Sequence, residues 1–166
     1  MKVVLVDEKD NEIGTEDKLT AHRDGKLHRA FSIFVLNSKN ELLLQKRSSE
    51  KYHSSELWSN TCCGHPQKGK DINNEARNRL KEEMGFDCHL EERFSLIYNV
   101  KLENGLIEHE YDHVIFGKYD NNPKPNPAEV LEWKWMSLDE LKLDIKKTPS
   151  KYTAWLRIIV DKLQMK

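Results

Sequence analysis

The sequence predicts an α+β fold, or an α/β sandwich with a mixed sheet, on three observations. Apolar residues recur at strand period from one end to the other; an Asn-Gly pair joins two long strand patterns; and a few stretches with helical period are interspersed among them. Residues 3–6 (Val-Val-Leu-Val) form the first strand. Residues 31–36 and 42–46 flank Asn37-Ser38-Lys39-Asn40 and read as a hairpin-like pair. Ile72, Ala76, Leu80 and Met84 then repeat every fourth residue, behind an Asp71 cap and ahead of Gly85 at the left-handed stop, which predicts a helix over 72–84. Residues 94–102 and 106–118 flank Asn104-Gly105, the strongest short hairpin signal in the chain. Over 130–136, Leu131, Trp133 and Trp135 alternate with Glu132 and Lys134, the pattern of a half-buried strand. Ser137-Leu138-Asp139-Glu140 is a capping box opening a short helix, and a last helix begins near Ser150 and carries Tyr152, Trp155, Leu156, Ile159 and Leu163.

Composition narrows the function. The chain has 166 residues, 33% of them charged, with a net charge of −1, which argues against a nucleic-acid partner but leaves room for a basic pocket. Four apolar residues near the N-terminus are too few for a signal-peptide core, and no apolar run reaches membrane-spanning length. The cysteine count of three is odd, and Cys62 and Cys63 are neighbours, so a disulfide framework is not expected and a reducing, cytoplasmic setting is. The one linker-like stretch, 120–127, is flanked by strong strand patterns and reads as a surface loop, so residues 1–166 are expected to form a single domain.

Certain residues could carry chemistry. His22 and His28 bracket Asp24-Gly25, and His65 follows Cys63-Gly64. Glu108 and Glu110, two apart on a predicted strand, leave the same face, which they share with Val114 and Phe116. Three imidazoles and two carboxylates would suit Zn²⁺, Mn²⁺ or another borderline divalent ion, though surface histidines beside a solvated strand fit the same pattern. Cys63, next to Gly64-His65, is either a reactive thiol or a buried structural one, the role expected of Cys62. Glu75, Arg79 and Glu83 form an i,i+4 ladder that alone would be an exposed ion-pair staple. Lys18, Arg47 and Lys51 taken singly are surface charges, and Tyr98 and Trp155 taken singly are core aromatics.

These pieces also stand in a recognisable order. Thr20-Ala21-His22, Leu27-His28-Arg29-Ala30-Phe31, the stretch from Trp58 to Pro66 containing Asn60-Thr61-Cys62-Cys63-Gly64-His65, Glu82-Glu83-Met84-Gly85, and Gly105-Leu106-Ile107-Glu108-His109-Glu110 closely resemble the type I isopentenyl-diphosphate Δ-isomerases. The resemblance runs from about Lys18 to Trp155. That family lies in the Nudix fold superfamily, which implies a mixed sheet between helices. Aligned on Gly85, the hydrolytic Nudix signature Gly-x5-Glu-x7-Arg-Glu-apolar-x-Glu-Glu-x-Gly begins at Gly64 and ends at Glu82-Glu83. Lys70 stands where its first Glu belongs, and Asn78-Arg79 where Arg-Glu belongs, so a carboxylate needed for a hydrolytic magnesium cluster is replaced by a base.

The resemblance implies an enzyme of isoprenoid biosynthesis that interconverts isopentenyl and dimethylallyl diphosphate. His22, His28, His65, Glu108 and Glu110 would bind one divalent ion, Mn or Zn. Cys63 and Glu110 would transfer protons, with Tyr98 hydrogen-bonded beside the carboxyl. Glu83 would hold a Mg²⁺ against the diphosphate, Lys18, Arg47, Lys51 and Arg79 would pair its oxygens, and Trp155 would cover the isoprenoid pocket. The expected partner is the small isoprenoid diphosphate, with the chain a monomer or weak homodimer.

Overall fold

The computed structural model describes residues 1–163 and forms one curled, mixed, nine-stranded sheet with helices on both faces; the last three residues of the expected domain lie outside it. The chain runs β1 (Lys2–Val6), β2 (Glu12–Asp17), α1 (Lys18–Asp24), β3 (His28–Leu36), β4 (Glu41–Arg47), β5 (Trp58–Ser59), β6 (Cys62–Gly64), α2 (Ile72–Met84), β7 (Leu90–Lys101), β8 (Ile107–Lys118), β9 (Val130–Ser137), α3 (Leu138–Lys147) and α4 (Ala154–Asp161). Among the described residues no helix is long and apolar enough to cross a membrane.

The centre of the sheet is β3. It pairs in parallel with β8 over nine consecutive residues, from His28↔Glu110 to Leu36↔Lys118. It also meets β1 at Leu5↔His28, β6 at residues 31–33 and β4 at Leu36↔Leu42. Burial on both faces explains its near-unbroken apolar run. Phe31, Ile33 and Val35 face a core closed by Ala76, Leu80 and Met84 of α2. Phe34 and Leu36 face a second core closed by Leu138 and Leu141 of α3 and Leu156, Ile159 and Val160 of α4.

The expected β3–β4 hairpin is not one. A single residue pair joins these strands, and β4 instead pairs with β9 along seven positions. The short turn brings the ends together, but the strands then diverge to partners far along the chain. The β7–β8 hairpin forms as expected, with Asn104 left-handed in a 3₁₀ turn over Glu103–Gly105. The helix over 72–84 has both expected caps, Asp71 accepting from the Asn74 N–H and Gly85 left-handed at the end. The last helix starts later than expected. Pro149–Lys151 makes a separate 3₁₀ turn, and Thr153 caps α4 by accepting from the Leu156 N–H. Four elements carried no expectation: β2, the seven-residue α1, whose N-cap is Asp17, and the short strands β5 and β6.

Gly85 also positions the loop over 120–127. The Lys124 N–H donates to the Met84 carbonyl and the Asn126 N–H to that of Glu83. A β-carbon at Gly85 would stand 2.1 Å from the Lys124 oxygen, with φ at +74°; Gly69 has the same φ but open space around it. Both glycine-to-alanine changes bear a left-handed backbone cost of about 1–2 kcal/mol, and Gly85→Ala adds a backbone clash. Urea unfolding is expected to place the Gly85→Ala midpoint clearly below that of Gly69→Ala; equal midpoints would mean that the loop yields freely.

Candidate active site

The face of β3 and β8 that packs on α3 and α4 is divided along its length. Its far end is apolar: Phe34, Leu36, Val114 and Phe116. Its near end carries His28 and Ser32 on β3, and Glu108, Glu110 and Asp112 on β8, all buried. Alternation along the two strands puts these groups on one side, and cross-strand pairing adds Tyr98 of β7 opposite Glu110 and Cys63 of β6 opposite Ser32. Cys62, one residue before, points to the other face, into the α2 core. His22 arrives on α1 and His65 on the turn after β6; Trp155 enters on the first turn of α4.

His22, His28, His65 and Glu110 offer ligand atoms that all lie within 4.8 Å of one another; Glu108 joins His22 and His53 in a second, overlapping group. His22 Nε2 is 3.1 Å from Glu108 Oε1, and His65 Nε2 is 3.1 Å from Glu110 Oε1. The Nδ1 atoms of His22 and His28 face the carbonyls of Lys18 and Lys26 at 2.7 and 2.8 Å. A carbonyl only accepts, so Nδ1 carries the proton in each ring, and a neutral ring presents a bare Nε2. His28 Nε2, buried and 3.5 Å from Glu110, has no hydrogen-bond partner. Bare nitrogens facing carboxylates repel unless a cation lies between them, so this donor set fits a divalent metal ion, and the two backbone carbonyls orient the rings as supports of metal-bound histidine do. Burial pushes His65 down to about 4, further favouring the neutral ligand form.

Glu110 and Cys63 have opposite proton preferences. Burial opposes ionisation of Glu110, yet His28 and His65 beside it, when they carry a proton on Nε2, hold its carboxyl well below the usual range; with those nitrogens bare, a cation between them and the carboxylate would supply the same pull. Tyr98 donates to its Oε2 at 2.5 Å. Burial and the neighbouring Asp112 push the Cys63 thiol up to about 12. Asn60 holds the sulfur, its Nδ2 at 3.2 Å and Oδ1 at 3.3 Å, while Ser32 Oγ stands at 3.6 Å and donates to Asp112 at 2.7 Å. Burial, then the charge of Glu110, pushes Asp112 well above the usual carboxylate range.

Cys63, His65, Tyr98, Glu108 and Glu110 line a cavity of about 510 Å³, within the usual range for a small-ligand site. Lys18, Arg47, Lys51 and Arg79 line it too, along with Glu83 and Trp155. Arg79 pairs with Glu83 at 2.5 Å and with Glu129 at 3.1 Å; Lys51 reaches Glu83 at 3.8 Å and bonds Glu129. The i,i+4 ladder of α2 is thus a cavity wall, with Glu83 buried and bonded by Gln45 at 2.9 Å. Trp155 is buried, donates to Ser59 Oγ at 3.1 Å, and has the Arg47 guanidinium 5.1 Å from its ring centre.

Sequence reasoning missed His53, Glu129, Asn60, Ser32 and Asp112. Asp112 continues the Glu108, Glu110 alternation, and Asn60 lies inside the quoted cysteine motif, so both had a signal; the other three had none.

The NUDIX domain family matches residues 26–156. The chain is 51% identical over 162 residues to isopentenyl-diphosphate Delta-isomerase 2 of Aromatoleum aromaticum, covering 98% of this chain and 86% of that one. It is 50% identical to isopentenyl-diphosphate Delta-isomerase 2 of Photorhabdus laumondii, covering 97% and 91%. Among solved structures, DR0079 of Deinococcus radiodurans superposes with a TM-score of 0.84 at 18% identity, over 99% of this chain and all of that one, and the MutT protein of Methanosarcina mazei with 0.67 at 18%, over 82% and 91%. At such identities the structural likeness shows the fold alone, whereas half-identity along nearly the whole length shows kinship: the chain belongs to the isopentenyl-diphosphate Δ-isomerase family within the Nudix superfamily.

Proposed function

We propose that this chain interconverts isopentenyl and dimethylallyl diphosphate by adding a proton at one end of the alkene and removing one from the carbon on its other side, with Cys63 and Glu110 as the two proton-transfer groups. The observation that carries the reading is one cavity lined by a protonated thiol, an ionised carboxylate and four basic side chains. One group loaded with a proton and one without it is the starting condition for a reaction that adds one proton and removes another. The intermediate is a tertiary carbocation that water would capture, so the buried setting matters. Trp155 offers an aromatic face to that charge, a contact worth about 0.5–2 kcal/mol. Tyr98 orients the Glu110 carboxyl, and Asn60 holds the Cys63 sulfur.

A divalent ion held by His22, His28, His65, Glu108 and Glu110 favours the ionised form of Glu110 and so makes its carboxyl a stronger acid. The nitrogen-rich donor set favours Mn or Zn there. The diphosphate is unreactive and serves for anchorage. Lys18, Arg47, Lys51 and Arg79 pair with its oxygens, with Glu83 holding the accompanying Mg²⁺. In the free chain Glu83 and Glu129 neutralise Arg79 and Lys51, so the arriving anion replaces carboxylates already in place. Three free cysteines fit a cytoplasmic enzyme. We read residues 1–166 as a single domain acting as a monomer or weak homodimer.

Incubation with isopentenyl diphosphate and Mg²⁺ is expected to yield the allylic isomer without phosphate release. Arg79 stands where a hydrolase carries a metal-binding Glu, and its guanidinium pairs with Glu83. Stoichiometric phosphate or pyrophosphate without isomer would overturn the reading.

A further inference from the structure

His53 has no part in the reading above, yet it is buried at the edge of the histidine cluster. Its ring stacks on that of His22, with centroids 5.7 Å apart and planes at 29°, and meets Trp155 edge-on at 5.8 Å. Its Nε2 lies 3.3 Å from Glu108 Oε1, the oxygen that His22 also faces, and its Nδ1 lies 3.1 Å from Ser54 Oγ. The His22–His53–Glu108 group is not a second ion site. His22 belongs to both groups, its Nδ1 is committed to the Lys18 carbonyl, and its single remaining lone pair can serve one ion.

We propose that His53 is a positioning residue of the metal centre: it holds the Glu108 carboxylate towards His22, and it ties the segment from Arg47 to Ser54 to that carboxylate. The Ser54 hydroxyl donates to Nδ1, which leaves the Nε2–H to donate to Glu108. The backbone on either side is fixed for this purpose. Arg47 donates to the carbonyls of His53 and Ser54 at 3.2 and 3.1 Å, the Ser54 N–H donates to the Glu103 carboxylate, and Ser54 itself sits at φ +51°. His53 therefore links the metal-facing carboxylate to a segment that carries the anion-facing Arg47 and Lys51.

The proposal rests on the metal-centre reading, and its test separates the two. Mn²⁺ affinity is measured on the full chain by competition with a chromophoric chelator. Wild type is expected to hold one ion tightly, and His53→Ala to bind about 10–100-fold more weakly, the usual cost of losing a partner of a ligand. His53→Gln, whose amide can donate to the same oxygen, should recover most of the loss. In a Glu108→Gln background, His53→Ala should cost little more, because the two residues act as one unit. Should His53→Ala fail to fold, His53→Phe takes its place, keeping a ring without a donor and losing the affinity that Gln keeps. Wild-type affinity in His53→Ala or His53→Phe, or equal losses in both backgrounds, overturns the proposal while leaving the metal centre standing. A wild-type chain that binds no Mn²⁺ overturns the metal-centre reading, and this proposal with it.

Discussion

Cys63→Ala is expected to lower turnover by about 10²–10⁴-fold, the range that a general acid or base contributes, while Cys62→Ala keeps most of it. The two thiols are adjacent, but strand alternation sends them to opposite faces. Cys63 pairs with Ser32 on the cavity side, and Cys62 pairs with Ile33 over the α2 core. Cys62→Ala removes one sulfur from packed apolar surroundings, a change of roughly 1 kcal/mol in stability. Cys63→Ala removes the only thiol that Asn60 and Ser32 both touch. Turnover at saturating substrate, together with thermal unfolding of both variants, measures the contrast. Equal losses in two folded proteins would take Cys63 out of proton transfer.

Glu110→Gln is expected to be the most damaging change on β8, and to stay damaging when metal is restored. Both Glu108 and Glu110 face imidazoles, so either substitution weakens ion binding. Only Glu110 receives the short bond from Tyr98, at 2.5 Å against 3.5 Å for Glu108. An amide keeps the shape and some coordinating power but can neither take up nor give up the proton that the reaction moves. Excess metal should therefore rescue Glu108→Gln in part and Glu110→Gln hardly at all, with a loss again of about 10²–10⁴-fold. Tyr98→Phe, which removes only the supporting hydroxyl, should fall between wild type and Glu110→Gln. The three variants are compared at saturating substrate and matched metal content. Full recovery of Glu110→Gln would make its carboxylate a ligand only, with Tyr98 the next candidate for that proton transfer.

What could be read from the chain beforehand was whatever is written locally. The caps and period of α2, the β7–β8 hairpin around its Asn104-Gly105 turn and the Glu108–Glu110 alternation are each written in contiguous sequence, and each appears in the structure as expected. The β3–β4 hairpin failed because a four-residue turn looks the same whether its strands pair or part. What parts them is β6 and the residue before it: Cys62–Gly64 pair with β3 over 31–33, and Thr61 bridges the Val35 N–H and the Leu43 carbonyl, so this later segment takes the edge that β4 would have used, and nothing in the turn marks that. The seven-residue α1 is too short to show a period, and its helix depends on the Asp17 cap and on burying Ala21 and His22. Among site residues, the motif-borne cysteine and histidines were legible. His53 and Glu129 were not, because each is brought in by an irregular segment whose path depends on contacts with distant residues.

The β3–β8 ladder has a consequence for how this protein can vary. His28 faces Glu110 and Phe34 faces Phe116 along one run of pairs without a bulge, so the polar half and the apolar half of that face share a single reading frame. Losing one residue inside either strand would turn polar side chains of this face towards the α2 core, and core residues such as Ile33 or Ile115 towards the α3–α4 side. Length changes are therefore confined to the connections, and a tag or sensor loop grafted at the exposed turn over 38–40 would leave the frame intact.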